Sequence, residues 1–198
     1  MSADYLTSEL LNIENAKREN RQRVANIVCK QKELLEPLVK ITFDVSNKIS
    51  VKAAWILEWI CSHHDLHAIV PYLDEFTSGL KYLKFDSAIR PCAKICEHIT
   101  IAYFKEDELF VKNLTDEHMQ RIVEVGFDWL ITDQKIAVRA YTMSSLFLLG
   151  KKYDWVHPEL AYLIRTKIIH ESKGCKARGK KVLELIDTGN LDERKKLS

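Results

Sequence analysis

Residues 133–150 read "DQKIAVRAYTMSSLFLLG", and one residue is out of place. Met143, Leu146, Phe147 and Leu149 recur at the spacing of one buried helix face, yet Arg139 sits just ahead of them between Val138 and Ala140. A charged group at the edge of an apolar face costs stability unless it has a partner. The rest of the chain explains why it is there.

The same pattern recurs. "SAIRPCAKI", "IAVRAYTMS" and "CKARGKKVL" each place a small or aliphatic residue before an arginine, at Arg90, Arg139 and Arg178. "VKAAWILEW" fits the register with Trp55 in the arginine column. A second element precedes each one. "EPLVKI", "VPYLDEF" and "HPELAYL" carry Pro37, Pro71 and Pro158, which lie 18, 19 and 20 residues before Trp55, Arg90 and Arg178. In the remaining unit, "MQRIVEV" has Gln120 in the proline's place, 19 residues before Arg139. Two elements in fixed order and at nearly fixed offset define an internal repeat.

Each unit is predicted to be a pair of helices. Outer helices are expected near 32–44, 66–82, 116–131 and 155–171, and inner ones near 48–62, 86–103, 134–150 and 174–187. The repeat column advances by 35, 49 and 39 residues, so one unit holds an insertion, placed at 103–115. Helix starts are expected at Asp65, Thr115 and Asp154, whose side chains suit an N-cap. Pro91 removes an intrahelical donor, so its helix is expected to kink or to start late. Residues 1–31 are read as an N-terminal cap over the first unit, 32–187 as the repeats and 188–198 as a frayed tail. The whole chain, 1–198, is read as one all-α domain.

Composition agrees with a packed helical domain. Of 198 residues, 46% are hydrophobic and 29% charged, and six glycines and four prolines leave little room for a loop-rich β fold. No apolar run approaches the ~20 residues needed to span a bilayer, so no membrane association is expected. The start has no basic region followed by an apolar stretch, and the five cysteines are odd in number and irregularly spaced. Reduced thiols in a cytoplasm are the expectation. A net charge of +2 is too small to imply nucleic acid by itself.

A proline-bearing first helix, an aspartate in the turn and a second helix opening with an aliphatic residue and arginine together resemble HEAT repeats of the armadillo-like class. Asp133 and Asp86 match the family's turn aspartate. The sequence departs from the pattern at Trp55, Gln120 and Pro91. The resemblance implies a right-handed α-α superhelix of about four helix pairs. It also implies that Arg139 ties layers together through an aspartate in the turn of its own or a neighbouring repeat, and Arg90 is likewise expected to bond acidic or carbonyl groups within the stack. At whole-chain level, "AAWILEW" and "IRPCAKI" also look like short Bacteroidetes-type proteins that carry the label adenylosuccinate lyase. That superfamily supplies its catalytic serine from a mobile "SSxMPxKxN" loop. The nearest string here, "YTMSSLFLLG", has Ser144 and Ser145 inside a repeat helix, without the Met-Pro-Lys-Asn. More distantly, the chain resembles DNA alkylation-repair glycosylases built from HEAT-like repeats, which read lesions with tryptophans and an aspartate on a concave face. Trp55, Glu58 and Trp59 are the residues that suggest it.

The remaining clusters are read as structural. "CSHHDLH" at 61–67 has ligand-like spacings, but Asp65 as a helix cap splits it across a turn. Cys92 and Cys96, with His98 nearby, are expected to be small buried core residues. No metal, cofactor or catalytic residue is therefore assigned. Lys52, Trp55, Arg90, Lys94, Lys135, Arg139 and Arg178 belong to inner helices, and a stack of repeats would bring them onto one concave surface. The expected function is a non-catalytic binding module for a protein or peptide. Nucleic-acid binding related to repair is the alternative, and the lyase label is a further one.

Overall fold

In a computed structural model of the chain, residues 2–189 are described. The expected tail at 188–198 lies outside them from residue 190 onward. Among the described residues there are eleven α-helices joined by short 3-10 turns, and no strand. The fold is all-α.

Helices α1 (Ser2–Leu11) and α2 (Arg18–Lys30) come first. The first pair follows as a 3-10 turn running into α3 (Leu35–Thr42), then α4 (Ile49–His63). The second pair is more broken on its outer side. A 3-10 stretch at Leu66–Tyr72, α5 (Leu73–Gly79) and a further 3-10 turn lead to the long α6 (Asp86–Phe104). Pro71 lies inside that 3-10 stretch, where the missing donor keeps the segment from forming regular α-helix. The insertion forms a short α7 (Glu108–Asn113), entered through Glu106 in the left-handed region at φ 61°. The third pair is α8 (Asp116–Ile131) and α9 (Ile136–Leu149). The fourth is α10 (Val156–Thr166), a 3-10 turn at Ile168–His170, and α11 (Lys173–Asp187).

The helices lie in two rows. α4 packs on α6, α6 on α9 and α9 on α11, while α3, α5, α8 and α10 touch in that order. α2 packs on α4, and α1 on both α3 and α4. Leu6, Leu10, Ile13, Val24, Ala25 and Val28 carry this N-terminal segment into the common core. α9 is enclosed by α6, α8, α10 and α11, so every residue from 142 to 149 is buried. Gly126 in α8 allows close approach there, because a Cβ at that position would meet the Leu146 side chain at 3.1 Å.

Asp65 caps the 3-10 stretch by accepting from the His67 amide at 2.9 Å, and Thr115 caps α8 in a reciprocal capping box with His118. Asp154 does not cap α10, which begins after Trp155 without a side-chain bond. Ser172 and Asp107 cap α11 and α7 instead. Pro91 does not delay α6, which starts at Asp86 with the proline buried inside it. Proline at 91 leaves the Ser87 carbonyl without its helical donor, and Trp55 Nε1 donates to that carbonyl at 3.1 Å. A side chain of the first pair thus repairs the gap in the second. No helix among the described residues is long and apolar enough to cross a membrane.

Candidate functional site

The inner helices carry a continuous row of polar side chains. Glu58 and Ser62 are one turn apart on α4, and Lys94, Glu97 and His98 share a face of α6. Glu58 accepts from Lys94 Nζ at 2.6 Å, from Ser62 Oγ at 2.9 Å and from Arg21 Nη1 of α2 at 3.4 Å. Ser62 Oγ also lies 3.1 Å from His98 Nε2. Farther along, Ser144 of α9 accepts from Arg178 of α11 at 3.1 Å, and both lie close enough to Glu97 of α6 to favour its ionised form. The row therefore crosses α2, α4, α6, α9 and α11.

Its two carboxylates behave oppositely. Burial pushes the Glu58 carboxyl up, but the Lys94 ammonium, the Ser62 hydroxyl and the Arg21 guanidinium outweigh it and hold it below the ordinary value. At Glu97 burial wins over Ser144, Arg178 and Lys94, and the carboxyl is raised. His98 is lowered by burial and by the neighbouring Lys94, which favours the neutral ring. Carboxyls with unequal affinities for protons can divide acid and base roles. Here Glu58 is only 2% exposed and Glu97 8%, so neither offers an open face to a substrate. The Ser62 hydroxyl donates to Glu58 and lies beside His98, but both neighbours are held below their ordinary values and are weak bases for activating it.

The residues expected to meet a partner divide into two groups. Lys94 is committed to Glu58, Arg178 bonds Ser144, and Lys52 donates to the Leu11 carbonyl at 3.0 Å. Trp55 is partly buried with its N–H used on Ser87. Arg139 is 5% exposed, donates to the Thr132 carbonyl at 2.8 Å and pairs with Glu171. The turn aspartate, Asp133, is 3.8 Å away and fully exposed, so Glu171 of the following unit is its main ion-pair partner. Arg90 was expected to be tied in the same way and is not. It is exposed, with no hydrogen bond or ion pair among the described residues, and its Asp86 lies 3.8 Å from Lys135 instead.

Arg21 was not foreseen, because it lies in the polar run "RENRQR" with no repeat signal to connect it to α4. Glu58 had a signal, a lone carboxylate within "AAWILEWI". The tryptophans do not form a platform. Trp59 is buried, stacked against His63 at 3.9 Å between centroids, with the Arg21 guanidinium 4.4 Å from its ring centre. Trp155, the exposed one, lies on the outer row and stacks on Phe127. Ser144 and Ser145 are buried, each donating back to the carbonyl one turn earlier. Cys61, Cys92 and Cys96 are buried thiols pushed up by desolvation. Among the described residues no three His, Cys, Asp or Glu side chains are grouped to hold a metal.

Comparison with known proteins adds no relative: no protein-family model matches the chain, and no curated protein or solved structure does either.

Proposed function

We propose that the chain is a HEAT-like right-handed superhelix acting as a non-catalytic binding module for a protein or peptide. The observation that supports it is the position of the inner-helix cations. Lys52 and Lys176 lie in the first turns of α4 and α11, Arg90 just past the first turn of α6, and Lys135 at the N-cap of α9. A cation at a helix N-terminus is disfavoured by the helix dipole, so this placement does nothing for the helices themselves. Arg90, Lys135 and Lys176 are exposed there, and the Lys135–Asp86 approach sets the starts of α9 and α6 side by side. An acidic segment lying along this edge would meet successive cations and the helix N-termini together. Farther along the same helices Glu58 pairs with Lys94 and Arg178 is turned onto Ser144, which argues against a phosphate-tracking groove.

The test begins with partners retained by the full chain from an extract of its native cell. Arg90→Glu with Lys135→Glu should abolish retention, while Lys40→Glu with Lys81→Glu, on the outer row, should leave it unchanged. Lys94 is unsuitable for reversal, because a carboxylate there would face buried Glu58. Equal loss from both pairs, with folding intact, would mean the wrong surface has been chosen. A DNA mobility shift that weakens steeply with salt would favour nucleic acid instead.

A further inference from the structure

The turn "CSHHDLH" lines a cavity of about 550 Å³ between the end of α2, the start of the α3 segment, the end of α4 and the Leu66–Tyr72 stretch. That volume falls within the roughly 300–1,000 Å³ of small-molecule sites. Its walls are of two kinds. Leu35, Ile60, Ala68 and Pro71 are apolar, and the Tyr72, His63 and His64 rings are flat surfaces able to face a planar ligand.

The polar lining is mostly held in place from behind. His63 donates through Nδ1 to the Trp59 carbonyl at 3.3 Å and stacks on the Trp59 ring. His64 Nε2 lies 3.0 Å from the Gln22 amide, and His67 Nε2 is 2.9 Å from Asp107. Asp65 is engaged in capping the His67 amide. Lys32 differs: it is exposed at the rim with no hydrogen bond or ion pair among the described residues. A preformed wall lowers the ordering cost of binding, and an uncommitted cation selects the sign of the ligand.

We propose that this cavity binds a small amphipathic acid, its flat apolar body lying on Leu35, Ala68, Pro71 and Tyr72 and its anionic group meeting Lys32. The site is separate from the cationic edge of the inner helices, so it stands or falls independently of the binding-module reading.

Two dyes with nearly the same body test it on the full chain. Anilinonaphthalene sulfonate should bind once per chain and about tenfold more tightly than uncharged phenylnaphthylamine, a difference of about 1.4 kcal/mol. Lys32→Gln should remove that preference while leaving phenylnaphthylamine binding unchanged. Ala68→Trp should fill the cavity and abolish both. A second readout does not depend on that variant folding. Cys29 lines the cavity and is partly exposed, whereas Cys61, Cys92, Cys96 and Cys175 are buried. Iodoacetamide should therefore alkylate Cys29 first, and bound sulfonate should slow it. Equal affinity for the two dyes, a preference that survives Lys32→Gln, or alkylation of Cys29 unaffected by saturating sulfonate would each overturn the proposal.

Discussion

Arg90 and Arg139 occupy the same column of the repeat, each following an aliphatic residue near the start of an inner helix, and they end in different surroundings. Arg139 is buried between the Thr132 carbonyl and Glu171, while Arg90 stands in solvent. The cause lies in the next unit. Glu171 sits seven residues before Arg178, and the corresponding position before Arg139 is Thr132, whose side chain is neutral. Arg139 finds a carboxylate at the neighbouring turn, and Arg90 finds none. The column places an arginine at the junction, but the unit that folds against it decides whether the guanidinium is buried.

The largest expected effect separates the two arginines directly. Arg139→Met loses the charge-assisted bonds to Glu171 and the Thr132 carbonyl and should cost about 2–3 kcal/mol, whereas Arg90→Met should stay within about 0.5 kcal/mol. Denaturant unfolding of both variants checks this, and similar midpoints would break the comparison.

The Glu58–Lys94 junction should resemble that of Arg139. Lys94→Met leaves Glu58 with the longer Arg21 contact and should cost about 2–3 kcal/mol at neutral pH. Glu58 is held below its ordinary value of 4.5, so its contribution is present above that pH and is lost as pH falls through the lowered pKa. Glu97 has the opposite sign. Its raised carboxyl favours folding when protonated, and that contribution is lost as pH rises through the raised pKa. Glu97→Gln should therefore melt above the wild type at neutral pH and converge with it below pH 4.5. A Glu97→Gln variant that melts lower throughout would show that Ser144 and Arg178 outweigh burial.

A smaller effect concerns the first junction, where the column holds Trp55. Trp55→Phe should cost about 1 kcal/mol beyond lost packing, by removing the donor to the Ser87 carbonyl. Pro91→Ala restores a helical N–H to that carbonyl, so the double variant should recover this part. Additive losses would show that the indole bond has no role in compensating for the proline.

The smallest prediction sharpens the comparison by construction. Thr132→Glu offers Arg90 the carboxylate that Glu171 offers Arg139, at an exposed position. A coupling of about 0.2–1 kcal/mol in a double-mutant cycle with Arg90→Ala is expected, and none if the two side chains cannot meet.

Much of the fold was legible in the chain because helix periodicity, proline positions and caps are local properties. Every expected outer and inner segment contains a helix, and the 103–115 insertion forms its own short one. Asp65 and Thr115 were readable as caps because a cap bonds an amide two or three residues away. The candidate site was less legible. Lys94 and Arg178 read as free cations on a shared face, and nothing nearby in sequence indicates that Glu58 and Ser144, 36 and 34 residues away, engage them. Arg21 joins the same row from a segment outside the repeat altogether.

The sequence by itself determined an all-α chain of paired helices, with an arginine or its substitute at each inner-helix start. The tertiary structure decided which of those groups are spent inside the molecule. It tied up Lys94, Arg139 and Arg178, left Arg90 and Lys135 exposed, and turned a polar loop of histidines into the wall of a cavity. The physical reason is range. A helix is specified by bonds between residues four apart, whereas burial of a charge depends on which group another unit brings against it, and that is set only when the helices pack.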